Sequence, residues 1–348
     1  MGATGAAGAP PLPGAVLALD LGGTQIRAAA VLPGGSLVRV RRSRTPVRDG
    51  ADAIVAACIA ALEAARDDLA ARPGAPPPIG VGISAPGPVD PRAGAIVDPP
   101  NLGPSFRDVL LAPRIEGALG LPAVLDRDTQ VAALAEGRFG AAAGCDDFLY
   151  VTVSTGIGGA IVTGGRLVRG PDGMAGELGH LLVDRDGPRC GCGMRGHLEG
   201  IASGSGIARR AREAAERGES DLLAELVLTR RSAFGARDVA HAEEAGDVVA
   251  ASIMEDARDA FAISCVSLTD VFNPSLIVVG GSLAGGQGER LLGPARAAVA
   301  RGAFRRPAAR VAIVPAALGD DVGLVGSLVL FEERHAGGIG ETAVGPPS

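Results

Sequence analysis

Two stretches hold most of the reactive side chains. RCGCGMRGHLEG, residues 189–200, lies shortly after GELGH, residues 176–180. Together they space His180, Cys190, Cys192 and His197 as H-x9-C-x-C-x4-H. Thiolate and imidazole are tetrahedral Zn²⁺ ligands, and four of them without an open position make a structural site rather than a catalytic one. The same spacing also fits reduced thiols beside an unrelated histidine. If a metal pins this loop, it aims Glu177 and Glu199, which flank the ligands, at one point. Glu199 also fits a first-turn carboxylate meeting a helix dipole.

Two glycine turns carry the second chemistry. DLGGT (20–24) and STGIGG (154–159) each close an apolar strand, and each is followed by another strand. Glycine lets backbone N–H groups approach a phosphate, and threonine hydroxyls add donors. Gly22, Gly23, Thr24, Thr155, Gly156 and Gly158 are the candidate phosphate contacts. Asp20, at a strand end beside the first turn, is placed to hold Mg²⁺. A dinucleotide fold would need a helix after the glycine turn.

The elements around these residues recur. A β-meander opens at AVLALD (15–20), and an Ala-rich helix covers about 51–71. A buried strand follows near 79–84, then a helix over SFRDVLLAPRIEGALG, a strand at PAVLD and a helix at TQVAALAEGRFG. FLYVTVSTGIGGAIVTGGRLVRG then restarts the strand–turn–strand pattern, and GGSLVR (34–39) matches GGRLVR (164–169) at five of six positions. The repeated order predicts a duplicated α/β domain. Helices are expected at about 204–217 and 219–228, and a long helical run at about 237–271. NPSLIVVGGSLAGG and RVAIVPA read as later strands, and DDVGLVGSLVLFEER as the closing helix.

Composition narrows the classes. All 33 basic residues are arginine, which excludes a Walker A loop, a protein-kinase β3 lysine and a pyridoxal Schiff base. The net charge of −6 argues against a nucleic-acid partner. No apolar stretch reaches the roughly 20 residues that span a bilayer. The Gly/Ala/Pro-rich opening lacks the features of a signal peptide. Cys58 and Cys265 sit in helical apolar patterns and read as core thiols. These features are those of a cytoplasmic protein.

The chain resembles the ROK family of sugar kinases and regulators, within the actin-like ATPase superfamily. The resemblance rests on DLGGTQIR, GISAPGPVDPRAG, NLG, DRDTQVAALAEGRFG, STGIGGAIVTGGRLVRG, GMAGELGH, CGCGMRGHLEGIASG, NPSLIVVGGSLA and LGDDVGLVGS, in order from about residue 15 to 333. It implies two actin-like (ribonuclease H-like) α/β domains facing an interdomain cleft. These are expected at 15–126 and 127–333, with a flexible lead at 1–14, a tail at 336–348, and the helix at about 320–335 packing back on the first domain.

It further implies a glucokinase-like enzyme that uses ATP and Mg²⁺ to phosphorylate a hexose, glucose by default, at the C6 hydroxyl. Asp128 matches the family's catalytic aspartate. Asn101, Glu177, His180 and Glu199 match its sugar contacts, and Gly280 and Gly281 its adenosine-side turn. The zinc is implied at His180, Cys190, Cys192 and His197, with His197 where the family commonly has cysteine. Arg127 and Gln130 stand where it usually has asparagines. Arg127, next to the catalytic position, reads as a sugar contact of altered kind, a partner for Asp126 or a filler of the pocket. The alternatives are a kinase for mannose or an N-acetylhexosamine, or a sugar-sensing protein without catalysis. ROK regulators carry an N-terminal helix-turn-helix, whereas only about 14 Gly/Pro/Ala-rich residues precede the first strand here. A homodimer is compatible with the resemblance.

Overall fold

The computed structural model describes residues 13–336, in two compact units. The expected lead and tail fall outside those residues except at their inner ends. The first unit comprises residues up to 144, the short return 169–174, and the chain from 320 onward. It begins with β1 (Ala15–Leu21), β2 (Gln25–Val31) and β3 (Leu37–Arg44), an antiparallel meander. Next come α1 (Ala51–Ala70), β4 (Pro78–Ala85), a small hairpin of β5 (Val89–Asp90) and β6 (Ala95–Ile96), α2 (Leu111–Leu119), β7 (Ala123–Arg127) and α3 (Asp128–Phe139). The sheet order is β3-β2-β1-β4-β7, with β4 parallel to both β1 and β7.

The second unit repeats that plan. Here β8 (Phe148–Val153), β9 (Ile157–Thr163) and β10 (Arg166–Leu167) form the meander. Five helices follow: α4 (Leu198–Ala202), α5 (Gly204–Glu216), α6 (Asp221–Arg230), α7 (Ala236–Glu244) and α8 (Val248–Phe272). Then come β11 (Leu276–Gly280), α9 (Ser282–Gln287), α10 (Glu289–Gly302), α11 (Arg305–Arg310) and β12 (Ala312–Pro315). The order β10-β9-β8-β11-β12 reproduces the first sheet strand for strand. The last helix, α12 (Val322–Ala336), belongs to the first unit.

Strands buried on both faces read as continuous apolar runs, because each face needs its own cover. In β1, Leu17, Leu19 and Leu21 pack with Ile54, Cys58 and Leu62 of α1. Val16 and Ala18 pack on the other face with Leu324, Leu328 and Phe331 of α12. Strand β4 divides the same way. Val81 and Ile83 join the α1 side, while Gly80 and Gly82 let α12 approach. A Cβ on Gly80 would lie 2.0 Å from the Phe331 ring, and one on Gly82 2.1 Å from the Ser327 carbonyl oxygen. Among the described residues no helix is long and apolar enough to cross a membrane.

Three expectations need correction. The domain break falls after Gly144, not after residue 126, so Asp128 and all of α3 belong to the first unit. Strand β7 runs directly into α3, and α3 lies against α12, where a Cβ on Gly326 would meet the Val131 carbonyl oxygen at 2.2 Å. Helix α2 starts at Leu111 rather than near 105. Val109 exchanges two backbone hydrogen bonds with Ile96, and Asp108 has φ 51°, so this segment continues the small hairpin. The run at 237–271 is two helices. Gly246 has φ 91°, and the Asp247 carboxylate accepts from the Ala250 N–H at 2.7 Å as a new N-cap.

Candidate active site

The two glycine turns are built alike. In the first unit the Gly22 N–H donates to the Gln25 carbonyl oxygen at 2.9 Å, and Thr24 is exposed at the tip. A Cβ on Gly23 would lie 2.6 Å from the Asn101 carbonyl oxygen. In the second unit the Ser154 N–H donates to the Gly156 carbonyl oxygen at 2.9 Å, and Thr155 is exposed. A Cβ on Gly156 would lie 2.7 Å from Oε2 of Glu199. Each turn is thus backed by a residue that the sequence assigns to the sugar. Gly158 lies in β9, one strand residue beyond the turn.

Asp20 closes β1. Its carboxylate accepts from the Ser84 hydroxyl at 3.0 Å and lies 3.7 Å from Nη1 of Arg27, its register partner on β2. Gly323 of α12 presses on it: a Cβ there would meet Oδ1 at 2.7 Å. Burial raises the Asp20 carboxyl above its usual range, against the lowering by the Ser84 hydrogen bond and Arg27. An oxygen donor so desolvated, with one hydroxyl and one distant cation for compensation, fits a hard divalent cation such as Mg²⁺. Arg27 also binds the Asp320 carbonyl oxygen and the Asp321 carboxylate, so it ties the end of β1 to the start of α12. Sequence reading missed Arg27 and Ser84. The hairpin register, which sets Asp20 opposite Arg27 across the tight turn, was the signal for the first.

Asp128 is the first residue of α3 and is exposed. Its Oδ1 accepts from the Thr129 N–H at 2.7 Å, which orients the carboxylate. Asn101 is likewise exposed. Arg127 is not: at 3% exposure it lies under the surface, where a Cβ on Gly87 would be 2.7 Å from its Cδ. Of the three sequence readings of Arg127, this burial agrees with filling and with pairing to Asp126. With the Gln130 amide oriented to satisfy both neighbours, its nitrogen donates to Asp126 and its oxygen accepts from Arg127 Nη2 at 3.3 Å. Asp126 is fully buried and binds Arg169 Nε at 2.9 Å, and Arg169 reaches Glu333 of α12 at 2.7 Å. This network explains why 169–174 returns to the first unit.

In the second unit the candidate metal ligands converge. One donor atom from each of His180, Cys190, Cys192 and His197 lies within 4.8 Å of every other. Nδ1 of His197 is 3.2 Å from Nδ1 of His180 and 3.3 Å from Sγ of Cys192. Zn–N bonds of about 2.0–2.1 Å and Zn–S bonds of about 2.3 Å put the edges of a tetrahedron at roughly 3.3–3.8 Å. The two His197 contacts match this edge, and the chemistry of the two thiols and two imidazoles suits zinc, while the four donors spread over up to 4.8 Å. The loop is a knuckle: the Cys190 N–H donates to the Met194 carbonyl oxygen at 2.7 Å, Arg189 pairs with Arg195, and Gly193 turns the chain at φ 94°. Burial, before any other cause, raises the Cys190 thiol.

Glu177 is exposed on a segment clamped under β9. Gly176 has φ 94°, and a Cβ on Gly179 would sit 2.1 Å from the Ile157 carbonyl oxygen. Glu199 is partly buried in the first turn of α4. Its Oε2 accepts from the Ile157 N–H at 2.9 Å, and the Cys190 thiol donates to Oε1 at 3.6 Å.

Beside the second turn lies a cavity of about 670 Å³, within the size range of small-molecule pockets. Thr155, Arg212, Phe234, His241, Ser282 and Gln287 line part of it. The Arg212 guanidinium lies 5.1 Å from the centre of the Phe234 ring, a flat surface on which a base can stack. Gly280 and Gly281 bring the end of β11 against β8: Cβ atoms there would meet the Tyr150 hydroxyl at 2.5 Å and the Val153 carbonyl oxygen at 2.4 Å. The sequence identified this glycine pair but not Arg212, Phe234 or His241, which belong to no motif and converge only through the packing of α5 and α7.

Two units of one topology, each with a glycine turn after its first strand, define an actin-like α/β protein. The chain belongs to the ROK family, which matches residues 16–334. It is 33% identical over 325 residues to a glucokinase of Halalkalibacterium halodurans, covering 91% of this chain and 94% of that one. Among solved structures it is similar to a ROK hexokinase from Thermus thermophilus, with a TM-score of 0.76 and 33% identity over 93% of this chain and 100% of that one. It is also similar to a ROK family glucokinase from Streptomyces griseus in complex with glucose and AMPPNP, with a TM-score of 0.71 and 33% identity over 91% and 99% of the two chains.

Proposed function

We infer that this protein is an ATP-dependent hexose kinase that phosphorylates glucose at its C6 hydroxyl. The observation that carries the reading is the paired construction of the two turns: Gly23 backs on Asn101, and Gly156 backs on Glu199. Each unit thus couples a phosphate-binding turn to a hydroxyl-binding side chain, as transfer between a nucleotide and a sugar demands. The glucokinases to which the chain is similar support glucose as the acceptor.

Phosphoryl transfer depends chiefly on positioning and on neutralising charge. Asp128 accepts the proton of the attacking hydroxyl. Asn101, Glu177, Glu199 and His180 hold the remaining hydroxyls. The turns at 22–24 and 155–156 donate N–H and hydroxyl groups to the phosphates, and the cavity beside Thr155 takes the adenosine. Mg²⁺, held at Asp20 partly through water, would neutralise the polyphosphate. Zinc at the knuckle would fix the His180 ring through Nδ1, leaving Nε2 on the opposite edge for the sugar. Arg127 shapes the site from behind.

ADP release with MgATP over a panel of hexoses and N-acetylhexosamines tests the reading. Glucose is expected to give the highest kcat/KM. A higher value for an N-acetylhexosamine would reassign the acceptor. Saturable sugar binding without turnover on any sugar would make the protein a sensor. The proposed location is the cytoplasm.

A further inference from the structure

The carbonyls of Ser154, Thr155 and Gly156 in the 154–157 turn are all engaged. Ser154 O accepts from the Gly204 N–H at 2.8 Å, and Thr155 O from the Ser205 N–H at 3.0 Å. A trans peptide points its C=O and the following N–H in opposite directions. With both carbonyls drawn toward α5, the N–H groups of Thr155 and Gly156 face away from it, toward the turn's outer side. The third peptide plane is held at both ends: the Gly156 carbonyl accepts from the Ser154 N–H, and the Ile157 N–H donates to Glu199 Oε2, each at 2.9 Å. Ile157 is only 3% exposed, so without Glu199 its N–H would be buried and unsatisfied. Rotation of that plane to find a partner would carry the Gly156 carbonyl outward, where it repels phosphate.

We propose that Glu199 is a positioning residue for the nucleotide: it locks the 154–157 turn in the conformation that presents its N–H groups to phosphate, in addition to any contact with the sugar. The proposal rests on the assignment of this turn to the nucleotide phosphates. Its other oxygen lies 3.6 Å from the Cys190 sulfur, so the strut stands against the knuckle whose ligands flank it. A Cβ on Gly156 would lie 2.7 Å from Oε2 of Glu199 and would push the carboxylate off the turn.

The test is MgAMPPNP binding without sugar, by calorimetry, together with amide hydrogen exchange of residues 153–158. Glu199→Ala and Glu199→Asp are compared with Glu199→Gln, whose amide oxygen keeps the bond to Ile157. The Asp variant keeps the charge but is one methylene too short, and it serves if the Ala variant does not fold. The strut predicts nucleotide binding at least about fivefold weaker in the Ala and Asp variants. It predicts faster exchange at Ile157 with α8 protection unchanged, and values within twofold of the parent for Gln. Unchanged nucleotide affinity and Ile157 exchange in both Ala and Asp, with only sugar affinity lost, would overturn it. If MgAMPPNP leaves the turn amides of the parent protein unprotected, the phosphate assignment itself fails and takes the proposal with it.

Discussion

Gly23 lies in contact with Asn101: a methyl group on its α-carbon would sit 2.6 Å from the Asn101 carbonyl oxygen and 2.9 Å from its Cβ. No rotamer relieves a clash with backbone, so Gly23→Ala must displace either the first turn or the Asn101 loop. Overpacking of this kind costs about 1–3 kcal/mol. Because the proposed function gives the turn to ATP and Asn101 to glucose, KM is expected to rise for both together, and kcat/KM to fall at least about tenfold. Gly34→Ala, in the next turn with nothing within 4 Å of its Cβ, is the control and should keep parental kinetics. An Ala variant at 23 that alters neither KM would show the contact to be irrelevant to the site.

Asp128→Asn removes the proposed proton acceptor while keeping shape and the ability to accept from the Thr129 N–H. General-base catalysis contributes about 10²–10⁴-fold, so kcat should fall by that factor while the glucose dissociation constant stays within about threefold. Stopped turnover with intact calorimetric binding assigns the role. A parental kcat would remove Asp128 from it.

The sequence carried the duplicated plan because its signals are local. Strand, glycine turn and strand recur in short windows, and GGSLVR and GGRLVR mark equivalent turns. Its candidate residues gather within each unit where one motif holds them, as in the His180–His197 knuckle. It misplaced the domain break because β7 and α3 are contiguous in sequence, and nothing local shows that α3 packs on a helix about 190 residues later. For Arg127 the sequence leaves a sugar contact, a pairing with Asp126 and a filling role open. The arginine's burial depends on Gly87, forty residues upstream, which leaves room for the Arg127 side chain. Those features are set by partners distant in the chain, which periodicity does not encode.

The landing of α12 on β4 supplies a stability prediction. Phe331 is 2% exposed, packs with Val16, Ala18 and Leu328, and lies over the face left open by Gly80. Phe331→Ala should cost about 3–5 kcal/mol, read as a loss in denaturation midpoint at unchanged slope. Gly80→Ala should destabilise comparably from the opposite side, since its methyl would enter the ring. A cost below about 1 kcal/mol for both would mean that α12 does not depend on this contact.

The thiols give a test of the knuckle that does not use activity. Cys58 and Cys265 are buried, and burial pushes each thiol up to about 12. Thiolate is the reactive form, so a raised value means that both stay protonated and inert well above neutral pH. They should resist iodoacetamide at pH 8 until the protein unfolds. Cys192 is exposed and should be alkylated first in chelator-treated protein, with the buried Cys190 slower. One bound zinc per chain should protect both, because a metal-held thiolate has its lone pair committed. His197→Cys should preserve the metal content and His197→Ala should lower it, since three donors leave a tetrahedral site open. Elemental analysis of the purified protein, paired with mass mapping of the labelled cysteines, reads both. No zinc, with Cys192 labelled at the same rate before and after chelation, would leave the four converging donors without a metal and return the knuckle to a hydrogen-bonded loop.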